Sequence, residues 1–123
     1  MKVMTVLGTR PEIIRLSQVI TRLDEGTDHC LVYTGQNYDP LLSSVFFSEL
    51  NVRDPDYSLG VRSDSFATQV GSMFERFAKV VAAVRPDRLL ILGDTNSGLT
   101  SVVARRLGVM VFHMEAGNRC YND

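Results

Sequence analysis

Apolar positions along this chain follow two alternating rhythms. Val3 to Leu7 is β-rich and mostly apolar, the pattern of a strand covered on both faces. From Pro11 the spacing changes to three and four. Ile13, Ile14, Leu16, Val19, Ile20 and Leu23 predict a helix, with Thr9 near its N-cap and Pro11 as its first residue. The alternation then repeats. Cys30 to Tyr33 predicts a second strand, Thr34 to Tyr38 a turn-rich loop, and Leu41 to Leu50 a short helix carrying Val45, Phe46 and Phe47. Asn51 to Arg62 holds Pro55, Gly60 and several aspartates, and reads as a surface connection. After it, Phe66, Val70, Met73, Phe74, Phe77, Val81 and Val84 trace one face of a long helix that Asp64 or Ser65 would cap and Pro86 stops; its Phe66, Phe74 and Phe77 stripe reads as core. Leu89 to Leu92 predicts a third strand, Leu99 to Leu107 a helix, and Val109 to Met114 a fourth strand.

Strands alternating with helices of this length predict an α/β fold with a Rossmann-like, doubly wound parallel sheet, because right-handed crossovers place the helices on its two faces. With 123 residues and 45% apolar content the chain suits a single packed domain. Charge narrows the partner. The 13 basic and 14 acidic residues are scattered, the net charge is −1, and no footprint for nucleic acid or an anionic membrane stands out. A small molecule is the expected ligand. The apolar start is too short for a signal region and ends in Gly-Thr-Arg-Pro, and nothing approaches the roughly 20 apolar residues of a membrane span. A cytoplasmic location is expected. Cys30 and Cys120 lack any Cys-x-x-Cys or His spacing, so they are expected to stay reduced and to hold no metal.

In such a sheet, ligands bind where loops and helix N-termini converge at the carboxyl ends of the strands. Four polar loops follow the predicted strands. The first, Gly8-Thr9-Arg10-Pro11-Glu12, has the makings of a phosphate cradle: Gly8 permits close backbone approach, the helix offers N–H groups, and Arg10 adds a bidentate cation. Neither Gly-x-Gly-x-x-Gly nor a Walker sequence is present, so nicotinamide and P-loop chemistry have no support. Arg15 either joins Arg10 at that edge or is a surface residue, and the same choice is open for Arg10. Asp94, after an apolar strand and a glycine, suits a helix N-cap or a base. Glu115 follows Val111-Phe112-His113-Met114 and precedes Ala-Gly, which favours close backbone approach. Two carboxylates at neighbouring strand ends can divide acid and base roles. His113 alternates with Glu115 and is either a satisfied core group or a second ligand contact. Tyr38 and Tyr121 fall in loops.

Gly8-Thr9-Arg10-Pro11-Glu12, Thr34-Gly35-Gln36, Gly93-Asp94-Thr95 and His113-Met114-Glu115-Ala116-Gly117 stand in the order and approximate spacing of a known family. In these motifs the chain resembles the non-hydrolysing UDP-N-acetylglucosamine 2-epimerases. The resemblance spans all 123 residues but only about the first third of a family member. It implies the partial N-terminal domain of a GT-B type two-domain fold, with the rest of that domain and the C-terminal domain lying beyond. Family enzymes eliminate UDP in an anti sense, pass through 2-acetamidoglucal, and add UDP back after reprotonating C2 on the other face; no cofactor is implied. Carried over, Asp94 and Glu115 match carboxylates of the proton transfers, and Arg10 matches a substrate contact. Arg15 stands where many members have lysine, which changes the geometry of the cation. Gln36 matches a loop that holds an activating second UDP-N-acetylglucosamine in several bacterial members, although Asp39 departs from the glutamine often seen nearby.

Gly117-Asn118-Arg119-Cys120-Tyr121 departs from the Gly-Leu-Arg-Thr of the housekeeping enzymes and looks like a branch acting on modified UDP-acetamido sugars for capsule or O-antigen synthesis. The resemblance further implies a homodimer. Its Pro-Glu-Glu segment and later histidine are not among these residues, so the 123-residue chain is expected to be catalytically incomplete. Two other functions fit the same elements. One is a half-Rossmann module for binding or dimerisation, and the other is a GT-B glycosyltransferase using a UDP-sugar donor.

Overall fold

A computed structural model describes residues 1–8, 10–34, 47–59, 65–92 and 100–114, with only the backbone described for Arg10, Phe66 and Leu92. Its elements in chain order are β1 (Lys2–Leu7), α1 (Arg10–Gly26), β2 (Asp28–Tyr33), β3 (Tyr57–Ser58), α2 (Phe66–Val84), β4 (Arg88–Leu92), α3 (Thr100–Arg106) and β5 (Met110–Met114). The five strands form one sheet in the order β3-β2-β1-β4-β5, and every neighbouring pair is parallel. The expected doubly wound architecture is therefore present.

Val3 to Leu7 of β1 are all buried, as a central strand covered on both faces requires. Successive side chains divide between the two faces. Leu7, Leu31 and Tyr33 pack on one side with Ile13, Leu16 and Ile20 of α1, Phe47 and Val52. Tyr33 and Phe47 meet edge to face, with centroids 5.4 Å apart. Met4, Val6, Cys30, Val32, Leu89 and Ile91 pack on the other side with Met73, Phe77 and Val81 of α2 and Ala104 of α3. Each fully buried leucine or isoleucine contributes on the order of 1.5–3 kcal/mol through apolar transfer. Phe77 is core as expected and Phe74 packs against it; the side chain of Phe66 lies outside the described residues. Burial pushes the Cys30 thiol up to about 11, which suits an inert core thiol, while Cys120 lies outside the described residues.

One expectation changes. The stretch from Asn51 to Arg62 is more than a surface connection, because it contains β3. Asp56 N–H donates to the Leu31 carbonyl at 2.8 Å and Leu59 N–H to the Tyr33 carbonyl at 2.9 Å, which extends the ladder beside β2. Val52 and Leu59 are buried and anchor the stretch. Of the short helix expected over Leu41 to Leu50, residues 47–49 are helical and 41–46 lie outside the described residues. Ser65 is the N-cap of α2, accepting from Thr68 N–H at 3.3 Å; Asp64 is not among the described residues. The fourth strand expected from the sequence is β5. It lies at the sheet edge beside the seven-residue α3, and Met110, Phe112, His113 and Met114 are exposed.

Candidate functional site

The registers align the carboxyl ends of four strands. Leu7 faces Tyr33, and Leu92 faces Met114. Because Thr5 pairs with Leu90, Leu7 and Leu92 come level two residues further on. Each of the four polar loops read in the sequence therefore begins at one line across the sheet. The chain leaves β1 for α1 on one face and leaves β4 for α3 on the other, so the topological switch falls between β1 and β4. A crevice opens for ligands at such a point.

At the end of β1, the Thr34 N–H donates to the Leu7 carbonyl at 2.9 Å and carries the ladder one residue past the strand. The Gly8 N–H donates to Glu12 Oε1 at 2.6 Å, in buried surroundings. Glu12, in the first turn of α1, is only 2% exposed. A carboxylate there complements the positive end of the helix dipole. The Gly8 donor is therefore taken by the helix's own side chain. No role for Glu12 was read from the sequence. The signal available was Thr9-x-x-Glu12, the spacing at which a helix's third residue turns back on its cap. The Thr34 hydroxyl is buried and has no hydrogen-bond partner among the described residues.

Arg10 begins α1, two residues beyond Gly8 in the chain. Arg15 is exposed further along the helix. His113 is exposed and lines an open cavity of about 630 Å³ with Ser101, Arg105, Gly108, Val109, Met110 and Val111, on the α3 side of β5. Gln36, Asp94, Glu115, Tyr38 and Tyr121 lie outside the described residues, two, two and one positions past Thr34, Leu92 and Met114 for the first three. Among the described residues, no group of three or more His, Cys, Asp or Glu could hold a metal, and no helix is long and apolar enough to cross a membrane.

An open parallel sheet with helices on both faces and a topological switch between β1 and β4 defines an α/β domain of the Rossmann-like class. A family profile described as UDP-N-acetylglucosamine 2-epimerase matches residues 21–123, and the chain belongs to that family. It is 40% identical over 122 residues to a UDP-N-acetylglucosamine 2-epimerase of Methanococcus maripaludis, covering 98% of this chain and 33% of that protein. It is 35% identical over 125 residues to a UDP-2,3-diacetamido-2,3-dideoxy-D-glucuronate 2-epimerase of Pseudomonas aeruginosa, covering 99% and 35%. Among solved structures, a UDP-N-acetylglucosamine 2-epimerase from Rickettsia bellii superposes with a TM-score of 0.88 at 48% identity, covering 99% of this chain and 33% of that one. The Methanocaldococcus jannaschii enzyme, solved with UDP-GlcNAc and UDP, superposes with a TM-score of 0.87 at 39% identity, covering 99% and 34%. The chain spans about a third of the length of the relatives it matches.

Proposed function

We propose that this chain forms the N-terminal, nucleotide-sugar-binding part of a non-hydrolysing UDP-N-acetylglucosamine 2-epimerase, or of an epimerase acting on a related UDP-acetamido sugar. The observation that carries the proposal is the alignment of four strand ends at one switch point, each followed by a family motif. The likeness to an enzyme solved with UDP-GlcNAc and UDP supports the ligand class, and the likeness to a diacetamido-sugar epimerase supports the wider range of sugars.

In the proposed reaction a base removes the weakly acidic proton at C2, its bonding pair becomes the C1–C2 double bond, and the C1–O bond breaks with its pair leaving on UDP. Reprotonation of C2 from the other face and return of the UDP oxygen to C1 give the epimer, with no net oxidation. Asp94 and Glu115 are assigned the two proton transfers. Arg10 is assigned the charge that develops on the diphosphate. Arg15 and His113 are assigned secondary contacts with the substrate, and Gln36 a contact with an activating nucleotide sugar. A homodimer in the cytoplasm, serving capsule or O-antigen synthesis, completes the proposal.

Deuterium incorporation at C2 of UDP-N-acetylglucosamine in heavy water tests it. The complete gene product should exchange, and Asp94→Asn or Glu115→Gln should slow exchange by about a hundredfold or more. The 123-residue chain by itself should not exchange. Measurable exchange by the short chain, or full activity in both variants, would overturn the assignment. A second reading, a binding or self-association module without catalysis, is favoured only by the exposed apolar side of β5.

A further inference from the structure

The proposed reading gives Arg10 to the ligand and leaves Glu12 without a task. Yet Glu12 is the buried carboxyl group nearest that arginine in the chain, and its acceptor Oε1 is spent on the Gly8 N–H. Enclosing a carboxyl group is unfavourable unless hydrogen bonds replace its hydration. Both sides of the link between β1 and α1 are held in this way. The Leu7 carbonyl accepts from Thr34 on the β2 side, and the Gly8 N–H is taken by Glu12 on the α1 side. A single residue, Thr9, then separates the pinned glycine from Arg10.

We infer that Glu12 is a positioning residue of the nucleotide-sugar site: its carboxylate locks Gly8 against the first turn of α1 and so fixes where Arg10 starts at the switch point. The same carboxylate closes the positive end of α1 against a phosphate, which leaves the Arg10 cation, not the helix end, to meet the anionic ligand. The inference rests on the reading that Arg10 contacts a UDP-sugar.

Glu12→Asp retains the charge but withdraws the carboxyl by one methylene, whereas Glu12→Gln retains the reach and an acceptor oxygen. In the complete gene product, Glu12→Asp should raise the Kd for UDP and lower kcat/KM for UDP-N-acetylglucosamine at least tenfold, and it should release the Gly8 amide to hydrogen exchange. Glu12→Gln should stay within threefold of wild type in both constants and keep Gly8 protected. Thermal unfolding and far-UV circular dichroism report whether each variant is folded; if Glu12→Asp is not, Glu12→Gln decides alone. Overturning results are a freed Gly8 amide with UDP affinity unchanged, or a Glu12→Gln protein that keeps Gly8 protected and loses affinity. A wild-type protein that binds UDP without epimerising it would sink the reaction proposed above, while Kd and Gly8 exchange would still judge the anchor. One that does not bind UDP overturns both.

Discussion

His29 Nδ1 lies 2.7 Å from Asp24 Oδ1, while the other ring nitrogen lies 2.8 Å from Thr5 Oγ1. Hydroxyl, imidazole and carboxylate in this order share the layout of a nucleophilic triad. The hydroxyl belongs to a fully buried residue within β1, however, so no substrate can reach it. The group is structural. Asp24 Oδ2 accepts from Arg53 Nε at 2.9 Å, and Arg53 reaches Asp56 Oδ2 at 3.0 Å, which also accepts from Leu31 N–H at 2.8 Å. The network therefore ties the end of α1 to β2 and to the approach to β3.

Burial by itself would push the Asp24 carboxyl up, but the bonds from Arg53 and His29 outweigh it and hold the carboxyl below its usual value. A carboxyl depressed on folding stabilises the folded state above its unfolded pKa of about 3.9, and that contribution is lost as pH falls through the lower folded value. The expected outcome is that Asp24→Asn is less stable than wild type in urea near neutral pH, and that the gap narrows from about pH 5 to about pH 3. UDP affinity should not change. A gap independent of pH would show that the carboxyl group's charge does not hold the network together.

The ends of α2 yield a second prediction with opposite signs. Ser65 Oγ accepts from Thr68 N–H at the start, and Arg85 at the finish adopts φ 54°, ψ 62°, with its N–H bonded to the Val81 carbonyl at 2.8 Å. Ser65→Ala removes a cap and should cost about 1 kcal/mol. Arg85→Gly removes a Cβ from the left-handed region and should gain about 0.5–1 kcal/mol. Equilibrium denaturation measures both, and a loss on Arg85→Gly would mean that its side chain contributes more than its backbone strain costs.

Those same elements show where the sequence was legible. The three- and four-residue spacing in α1 and α2 is long enough to mark the buried face without help from tertiary contacts, and Ile13, Leu16, Met73 and Phe77 fall where that spacing puts them. β3 was not legible, because two exposed residues carry no alternation and are held by backbone bonds to β2. At the site, Glu12 was missed because an acidic residue in a first helical turn ordinarily faces solvent. The His29 network was missed because its members, at positions 24, 29, 53 and 56, are brought together only by the sheet.

Thr34 is 1% exposed, and its hydroxyl has no hydrogen-bond partner among the described residues. An idle buried hydroxyl loses hydration without compensation, so replacing it with a methyl group of the same shape removes a penalty. Thr34→Val should therefore leave stability unchanged or raise it by about 1 kcal/mol. Denaturation in the absence and presence of UDP separates the possibilities. A variant that is destabilised without ligand would reveal a partner for the hydroxyl, and one that loses UDP affinity would place the hydroxyl in the ligand site.

Met110, Phe112 and Met114 project from the α1 side of the sheet edge, where Phe112 pairs with Leu90 and is 51% exposed. Arg88 lies beside it, its guanidinium carbon 6.0 Å from the ring centroid. Three apolar side chains in a row on an edge strand combine the two features that drive association, namely unpaired backbone and uncovered apolar area. Self-association of the 123-residue chain is therefore expected, with a sedimentation coefficient that rises with protein concentration. Phe112→Thr keeps a β-forming residue and removes the ring, so it should restore monomers while changing stability by no more than about 1 kcal/mol, the scale of an exposed cation–π contact. A wild-type chain that stays monomeric at high concentration would contradict the argument, as would a variant that associates as strongly as the parent.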